Sequence, residues 1–338
     1  ISGADGEAVL AIANSEEIVY SDVDKLGEYQ HKFYYIQKHI DKILELPLVN
    51  KKAIKERNFK VVIDCVNSTG GISVPELLVA LGVTDVVELF TNPNGRFPHN
   101  PEPLPEHLGT IAHEVKHQKA DVGLVVDPDV DRLAIVCENG DMFGEEYTLV
   151  SIADYVLKHT PGNVVSNLSS TQALRDVAVK HKVEHHQSAV GEVHVVSMMK
   201  EVNAIIGGEG NGGIILPELH YGRDALVGIA LFLSHLATSG KSCSRLRADY
   251  PNYFMAKNKI ELPEGTDVQY ILRKMEEKYK KEKLNKTDGL KIEMGGDWVH
   301  LRASNTEPII RIYSESSTKT TAENINKKIM DDIKNVMK

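Results

Sequence analysis

The sequence predicts an α/β protein: two successive units built on open sheets, followed by an α+β segment. Three observations carry this. Short apolar runs (KVVIDC, VTDVVELF, DVGLVV) alternate with stretches whose apolar residues recur at helical spacing, the pattern of strands joined by crossover helices. A second stretch, starting near Phe143, repeats that order at similar length, which suggests a duplication. The end of the chain instead has one helical stretch, a run of strands and a terminal helix. At 338 residues, two or three domains are expected.

Taken in order, ISGADGEAVLAIANSEEIVY opens without an initiator Met and reads as an entry in mid-protein. The pattern over 24–57 is helical, and Pro47 ends its main run. A buried strand over 61–65, a Ser-Thr-Gly-Gly turn and a helix over 73–81 come next. The strand VTDVVELF, a Pro/Asn-rich loop over 91–105 and the helix HLGTIAHEVKHQ follow. DVGLVVDPDVDRLAIV then reads as two strands flanking an acidic loop. In the second unit, EEYTLVSIADYVLKHT, TQALRDVAVKHK and EVHVVSMMKE are predicted helices and GNVVSNLSS a strand and turn. In GRDA, Asp224 is placed to cap the apolar helix after it. The last segment holds the helix DVQYILRKMEEKYKKEK, the strands GLKIEM, DWVHLRAS and IIRIYSES, and a terminal helix.

Composition is that of an ordinary globular chain, 42% hydrophobic and 26% charged. A formal net charge of -9 argues against a nucleic-acid groove, which needs a concentrated basic surface. No apolar run approaches the roughly 18 residues of a membrane span, and no secretory signal opens the chain. Cys65, Cys137 and Cys243 are far apart and odd in number. They read as buried thiols of a reducing compartment, so a cytoplasmic location is expected.

Three loops carry chemistry. Asp127, Asp129 and Asp131 fall at alternate positions, which in an extended loop would aim three carboxylates at one point. Such carboxylates repel unless a cation neutralises them, and oxygen-only ligands suit Mg²⁺ or Ca²⁺. The alternative is a solvated acidic turn. An EF-hand is excluded, because Arg132 stands where its sharp turn requires Gly and the flanks are strand-like. Arg132 could contact an anion held by the metal or pair with an aspartate. IIGGEGNGGIILPE surrounds Glu209 and Asn211 with glycines but has neither a P-loop nor GxGxxG spacing. A carboxylate and an amide there suit sugar hydroxyls, and a plain strand-to-strand turn is the alternative. HLRASNTEPIIRIYSES gathers Arg302, Ser304, Asn305, Thr306 and Arg311 within ten residues. That set suits a tetrahedral anion, while an Asn-rich turn with incidental arginines is the plainer reading. Together a metal, a polyol and a phosphate point to a phosphosugar enzyme. A phosphatase using Asp127 as nucleophile would explain neither of the other two loops.

DPDVDR, GGEGNGG and RASNTEPIIR, in this order, with GRFPHNPEP upstream, resemble the α-D-phosphohexomutase family of phosphoglucomutases, phosphomannomutases and phosphoglucosamine mutases. The resemblance implies the remnant of a four-domain enzyme. Residues 1–27 would be the tail of a first domain, 28–141 and 142–247 two related three-layer mixed-sheet α/β domains, and 248–338 a C-terminal α+β domain. It implies that Asp127, Asp129 and Asp131 hold one Mg²⁺, that Glu209 and Asn211 read sugar hydroxyls, and that Arg132 helps stabilise the transferring group. Arg302, Ser304, Asn305, Thr306 and Arg311 would clamp the non-reacting phosphate. The implied reaction interconverts 6-phospho and 1-phospho sugars through a hexose bisphosphate, with glucosamine phosphate favoured over glucose or mannose phosphate. Neither nucleic acid nor membrane is an expected partner. The family's Ser-His-Asn-Pro type of phosphoserine loop is absent, since His99-Asn100-Pro101 follows Pro98. These residues alone are therefore expected to bind a phosphosugar without turning it over; a non-catalytic phosphosugar-binding protein is the rival.

Overall fold

The computed structural model describes residues 3–15, 18–263, 265–304 and 307–337. Residues 1–36 and 37–338 form two compact units. The first carries helix α1 (Gly3–Ala13), with no buried residue, and exposes Val19, Tyr20, Tyr29 and Phe33. The continuous helical pattern expected over 24–57 is not formed. Helix α2 spans Tyr35–Glu45 and α3 spans Lys51–Arg57. Every side chain over 21–34 is exposed, and most helical stability comes from packing an apolar face. From Tyr35 onwards Ile40 and Ile43 supply that face, both fully buried.

In the second unit, β1 (Lys60–Asp64), β2 (Asp85–Leu89), β3 (Val122–Val126) and β4 (Leu133–Cys137) form a sheet ordered β2-β1-β3-β4, parallel except for β4. Helices α4 (Gly70–Leu81) and α5 (Gly109–Gln118) are its crossovers. After α6 (Glu145–His159) come β5 (Val164–Asn167), α7 (Ala173–His181), β6 (His185–Ser188), α8 (Glu192–Glu201), β7 (Ile206–Glu209) and β8 (Gly213–Ile215). These strands are ordered β6-β5-β7-β8, again parallel except for the last. The two sheets share strand order and direction, the topological counterpart of the duplication. Val165 and Ile215 pack on Val195 and Met199 of α8. Strand alternation turns Val164 the other way, where it is also fully buried.

Helix α9 (Ala225–Ser239) is buried from Ala225 to Leu236 and touches α3, α4, α6, β4 and β8, so elements of both parallel-stranded sheet layers pack on it. Its cap is as expected, Asp224 Oδ1 accepting from Leu226 N at 2.8 Å and Val227 N at 3.2 Å. After α10 (Cys243–Arg247), β9 (Phe254–Glu261), α11 (Val268–Lys278), β10 (Lys283–Asn285), β11 (Leu290–Met294), β12 (Asp297–Ala303), β13 (Ile309–Ser316) and α12 (Lys319–Met337) complete the chain. The strands form an antiparallel sheet, β10-β11-β12-β13-β9. Ile271 and Met275 of α11 and Ile329 and Ile333 of α12 pack on Ile292, Val299, Leu301, Ile310 and Ile312. All three cysteines are buried and free. Among the described residues no helix is long and apolar enough to cross a membrane.

Candidate active site

The acidic loop is the β3–β4 turn. Its three aspartates converge, each offering an oxygen within 4.8 Å of the others. An extended loop is not what brings them together. The chain turns tightly, with Val130 at φ +61°, and Asp127 Oδ1 accepts from the backbone N–H of Asp131 and of Arg132, both at 3.0 Å. The Val130 carbonyl accepts from Ala225 N at 3.0 Å, which ties the turn to the start of α9. Burial, reinforced by the charges of Asp131 and Asp129, pushes Asp127 up to about 7 against those backbone donors. Of its two anticipated contacts, Arg132 makes the pairing with aspartates. Its Nε is 3.6 Å from Asp127 Oδ2 and 3.7 Å from Asp131 Oδ1, and Nη1 is 3.1 Å from Glu102. Glu138, the residue at the EF-hand's final position, points away and accepts from Ser244 N at 2.9 Å.

The glycine-rich stretch is the equivalent turn of the second sheet, β7–β8. The two turns meet through a backbone bridge between Arg132 and Gly213, and Leu133 N donates to Gly212 O at 3.0 Å. Glu209 is buried. Its Oε1 accepts from Asn167 Nδ2 at 2.9 Å and Gly191 N at 3.1 Å, and its Oε2 from Arg223 at 2.9 Å. Asn211 Oδ1 accepts from Gly213 N at 3.2 Å. At Gly212 the glycine serves the protein's own packing: φ is +88° and a Cβ would meet the Leu133 carbonyl at 2.4 Å. Gly212→Ala is therefore expected to destabilise the protein by about 3 kcal/mol. A urea midpoint equal to wild type would refute this.

In the C-terminal sheet Arg302 and Arg311 are directly paired across β12 and β13. Like charges so placed repel. Arg302 Nε lies 2.9 Å from Asp288, and Arg311 lies 3.5 Å from Glu307. Ser304 follows β12, its N–H bonded to Ile309 O at 3.0 Å. Asn305 and Thr306 lie outside the described residues. Arg132, Glu209, Asn211, Arg302, Ser304 and Arg311 all line one cavity of about 430 Å³. The three aspartates do not line it; Arg132 and Arg223 connect them to it.

Domain models described as "Phosphoglucomutase/phosphomannomutase, alpha/beta/alpha domain II", "alpha/beta/alpha domain III" and "C-terminal domain" match residues 37–140, 144–253 and 259–332. A phosphoglucomutase/phosphomannomutase of Thermococcus kodakarensis is 36% identical over 91% of this chain and 67% of its own length. The chain belongs to the phosphoglucomutase/phosphomannomutase family. A probable phosphoglucosamine mutase of Methanopyrus kandleri is 28% identical, over 94% of this chain and 70% of its own. A crystal structure of a phosphoglucomutase/phosphomannomutase family protein from Burkholderia thailandensis superposes with a TM-score of 0.76 at 25% identity, covering 89% of this chain and 64% of that one. The chain thus spans about two-thirds of the relatives it matches, and relatives of this kind are hexose-phosphate mutases, which are isomerases.

In this chain the acidic turn fits a hard divalent cation. All its donors are carboxylate oxygens, and Asp131 Oδ1 is buried without a hydrogen-bond partner. Sequence reasoning missed several cavity or bridging residues. Arg223 binds Asp131 through Nη2 and Glu209 through Nη1, with Nε 3.5 Å from Glu192. Glu146, which burial pushes up to about 8, accepts from Thr171 N at 2.8 Å and lines the cavity with Lys257. Ser169 Oγ lies 2.8 Å from Nδ1 of His300, whose imidazole burial pushes down to about 4. GRDA flagged Arg223's neighbour only; nothing in its spacing pointed to Asp131, 92 residues away.

Proposed function

We propose that the full protein interconverts 6-phospho and 1-phospho hexoses, and that this chain supplies its metal, sugar and phosphate loops. The observation that supports this reading most is the single cavity shared by Glu209, Asn211, Arg302, Ser304 and Arg311, of a size that suits a small polar ligand. Phosphoryl transfer depends mainly on positioning and charge neutralisation. Arg302 and Arg311 exchange their carboxylate partners for the non-reacting phosphate, with Ser304, Asn305 and Thr306 as further donors. Glu209, oriented by Arg223, Asn167 and Gly191, accepts from sugar hydroxyls beside Asn211. Asp127, Asp129 and Asp131 would hold Mg²⁺, which supplies positive charge to the transferring phosphoryl group. Arg132, which contacts Glu102, would add positive charge towards that group. The donating serine is proposed to lie outside these residues, with a hexose bisphosphate as intermediate. Glucosamine phosphate is the favoured substrate, and the buried free thiols support a cytoplasmic location.

Calorimetry with glucosamine, glucose and mannose 6-phosphates in Mg²⁺ tests the reading. Binding is expected, strongest for glucosamine 6-phosphate, and Arg302→Ala or Arg311→Ala should weaken it by about 10–100-fold, the loss of one charged contact. Equal affinity in both variants would remove the phosphate-clamp assignment. Mutase turnover by the 338 residues alone would refute the placing of the serine.

A further inference from the structure

Away from the cavity, His39 of α2, His220 of the β8–α9 connection and Asp224 place one ligand atom each within 4.8 Å of one another. We propose that this is a second metal site, for a nitrogen-preferring divalent ion of the zinc class. The carboxylate of Asp224 divides its work. Oδ1 is committed to the backbone N–H groups that cap α9. Oδ2 faces both imidazoles, 2.7 Å from His39 Nε2 and 3.0 Å from His220 Nε2. A cation bound to Oδ2 and the two ring nitrogens takes the place of the bridging protons and leaves the cap intact.

Two imidazoles and one carboxylate are a donor set for Zn²⁺ or Co²⁺, whereas the all-oxygen turn of Asp127, Asp129 and Asp131 is one for Mg²⁺. Ligand atoms around one tetrahedral ion lie roughly 3.3–3.6 Å apart at metal–ligand lengths of about 2.0–2.2 Å, so these separations need only open slightly to admit it. The side chains that must move are free to do so, His39 being 33% and His220 42% exposed. Asp224, the 7% exposed member, is the fixed one. That exposure also leaves a coordination position for water. The site joins α2 to the β8–α9 connection, and its carboxylate is the next residue after Arg223, the bridge between Asp131 and Glu209. Occupancy would hold that bridge in place from outside the cavity.

The test is a Co²⁺ titration of the purified, chelator-treated protein in excess Mg²⁺, followed by visible absorption. One Co²⁺ per chain is expected, with d–d bands of nitrogen ligation, displaced by Zn²⁺. The signal should persist in Asp129→Asn and weaken by about 100-fold or more in His39→Ala and in His220→Ala, each of which removes a ligand outright. Circular dichroism of the metal-free variants checks their fold. Independently, Co²⁺ should protect His39 and His220 of the wild type from diethyl pyrocarbonate, mapped by mass spectrometry. Wild-type affinity in both histidine variants, loss of the signal in Asp129→Asn alone, or unprotected histidines in the presence of Co²⁺ would each overturn the proposal.

Discussion

Asp127→Asn is expected to stabilise the metal-free protein and to abolish the Mg²⁺-dependent turnover proposed for the full enzyme. Asparagine keeps the Oδ1 acceptor that Asp131 N and Arg132 N use, and it removes a charge held beside two other carboxylates. The sign follows from the shift. Burial, with the neighbouring carboxylates, pushes Asp127 up to about 7 in the folded protein, from an ordinary carboxyl value of 3.8. Its contribution to stability is therefore fully present below about pH 4 and lost as the pH rises through 7. In chelator at pH 8 the variant should melt higher by a few degrees, at roughly 2–4 °C for each kcal/mol gained. At pH 4 the two proteins should converge. With Mg²⁺ the order should reverse, because only the wild type gains the stability that ligand binding confers. A variant that melts lower than wild type in chelator at pH 8 would sink the electrostatic account.

Arg223→Ala should have the largest effect on stability of any substitution at the site. It strips the shared cation from Asp131, Glu209 and Glu192, and removing one partner of a buried ion pair costs about 3–5 kcal/mol. Mg²⁺ should recover part of that loss, because it neutralises the Asp131 side but does nothing for Glu209. Arg223→Lys should rescue little, since a point charge cannot bind two carboxylates through separate nitrogens. With Glu209 no longer oriented, turnover of the full enzyme should fall by about 10²-fold. Urea unfolding with and without Mg²⁺, alongside a mutase assay, separates these effects. Wild-type stability and activity in Arg223→Ala would leave the bridge without function.

Among the strands that escaped the sequence reading, β6, β9 and β10 are sheet edges. Edge strands can carry polar and charged residues on both faces, and HHQS, FMAKNKIE and KLN lack the apolar runs that announced β1, β3 and β5. The interior strands β1, β3 and β5 were legible because both of their faces are buried. The helical pattern over 24–34 misled for the converse reason: spacing marks an apolar face but not whether anything covers it.

By itself the sequence determined the chemistry of each loop, since three carboxylates, an acid–amide pair among glycines and paired arginines are local facts about donors and charge. It also determined the family, through motifs whose order is covalent. Only the tertiary structure decided that the acidic and glycine-rich loops are equivalent turns of two like-ordered sheets, bridged from Arg132 to Gly213. It alone placed Arg223 across Asp131 and Glu209, and His39 beside Asp224. These pairings join residues far apart in the chain, and long-range contacts are set by how buried faces pack, which no local pattern encodes.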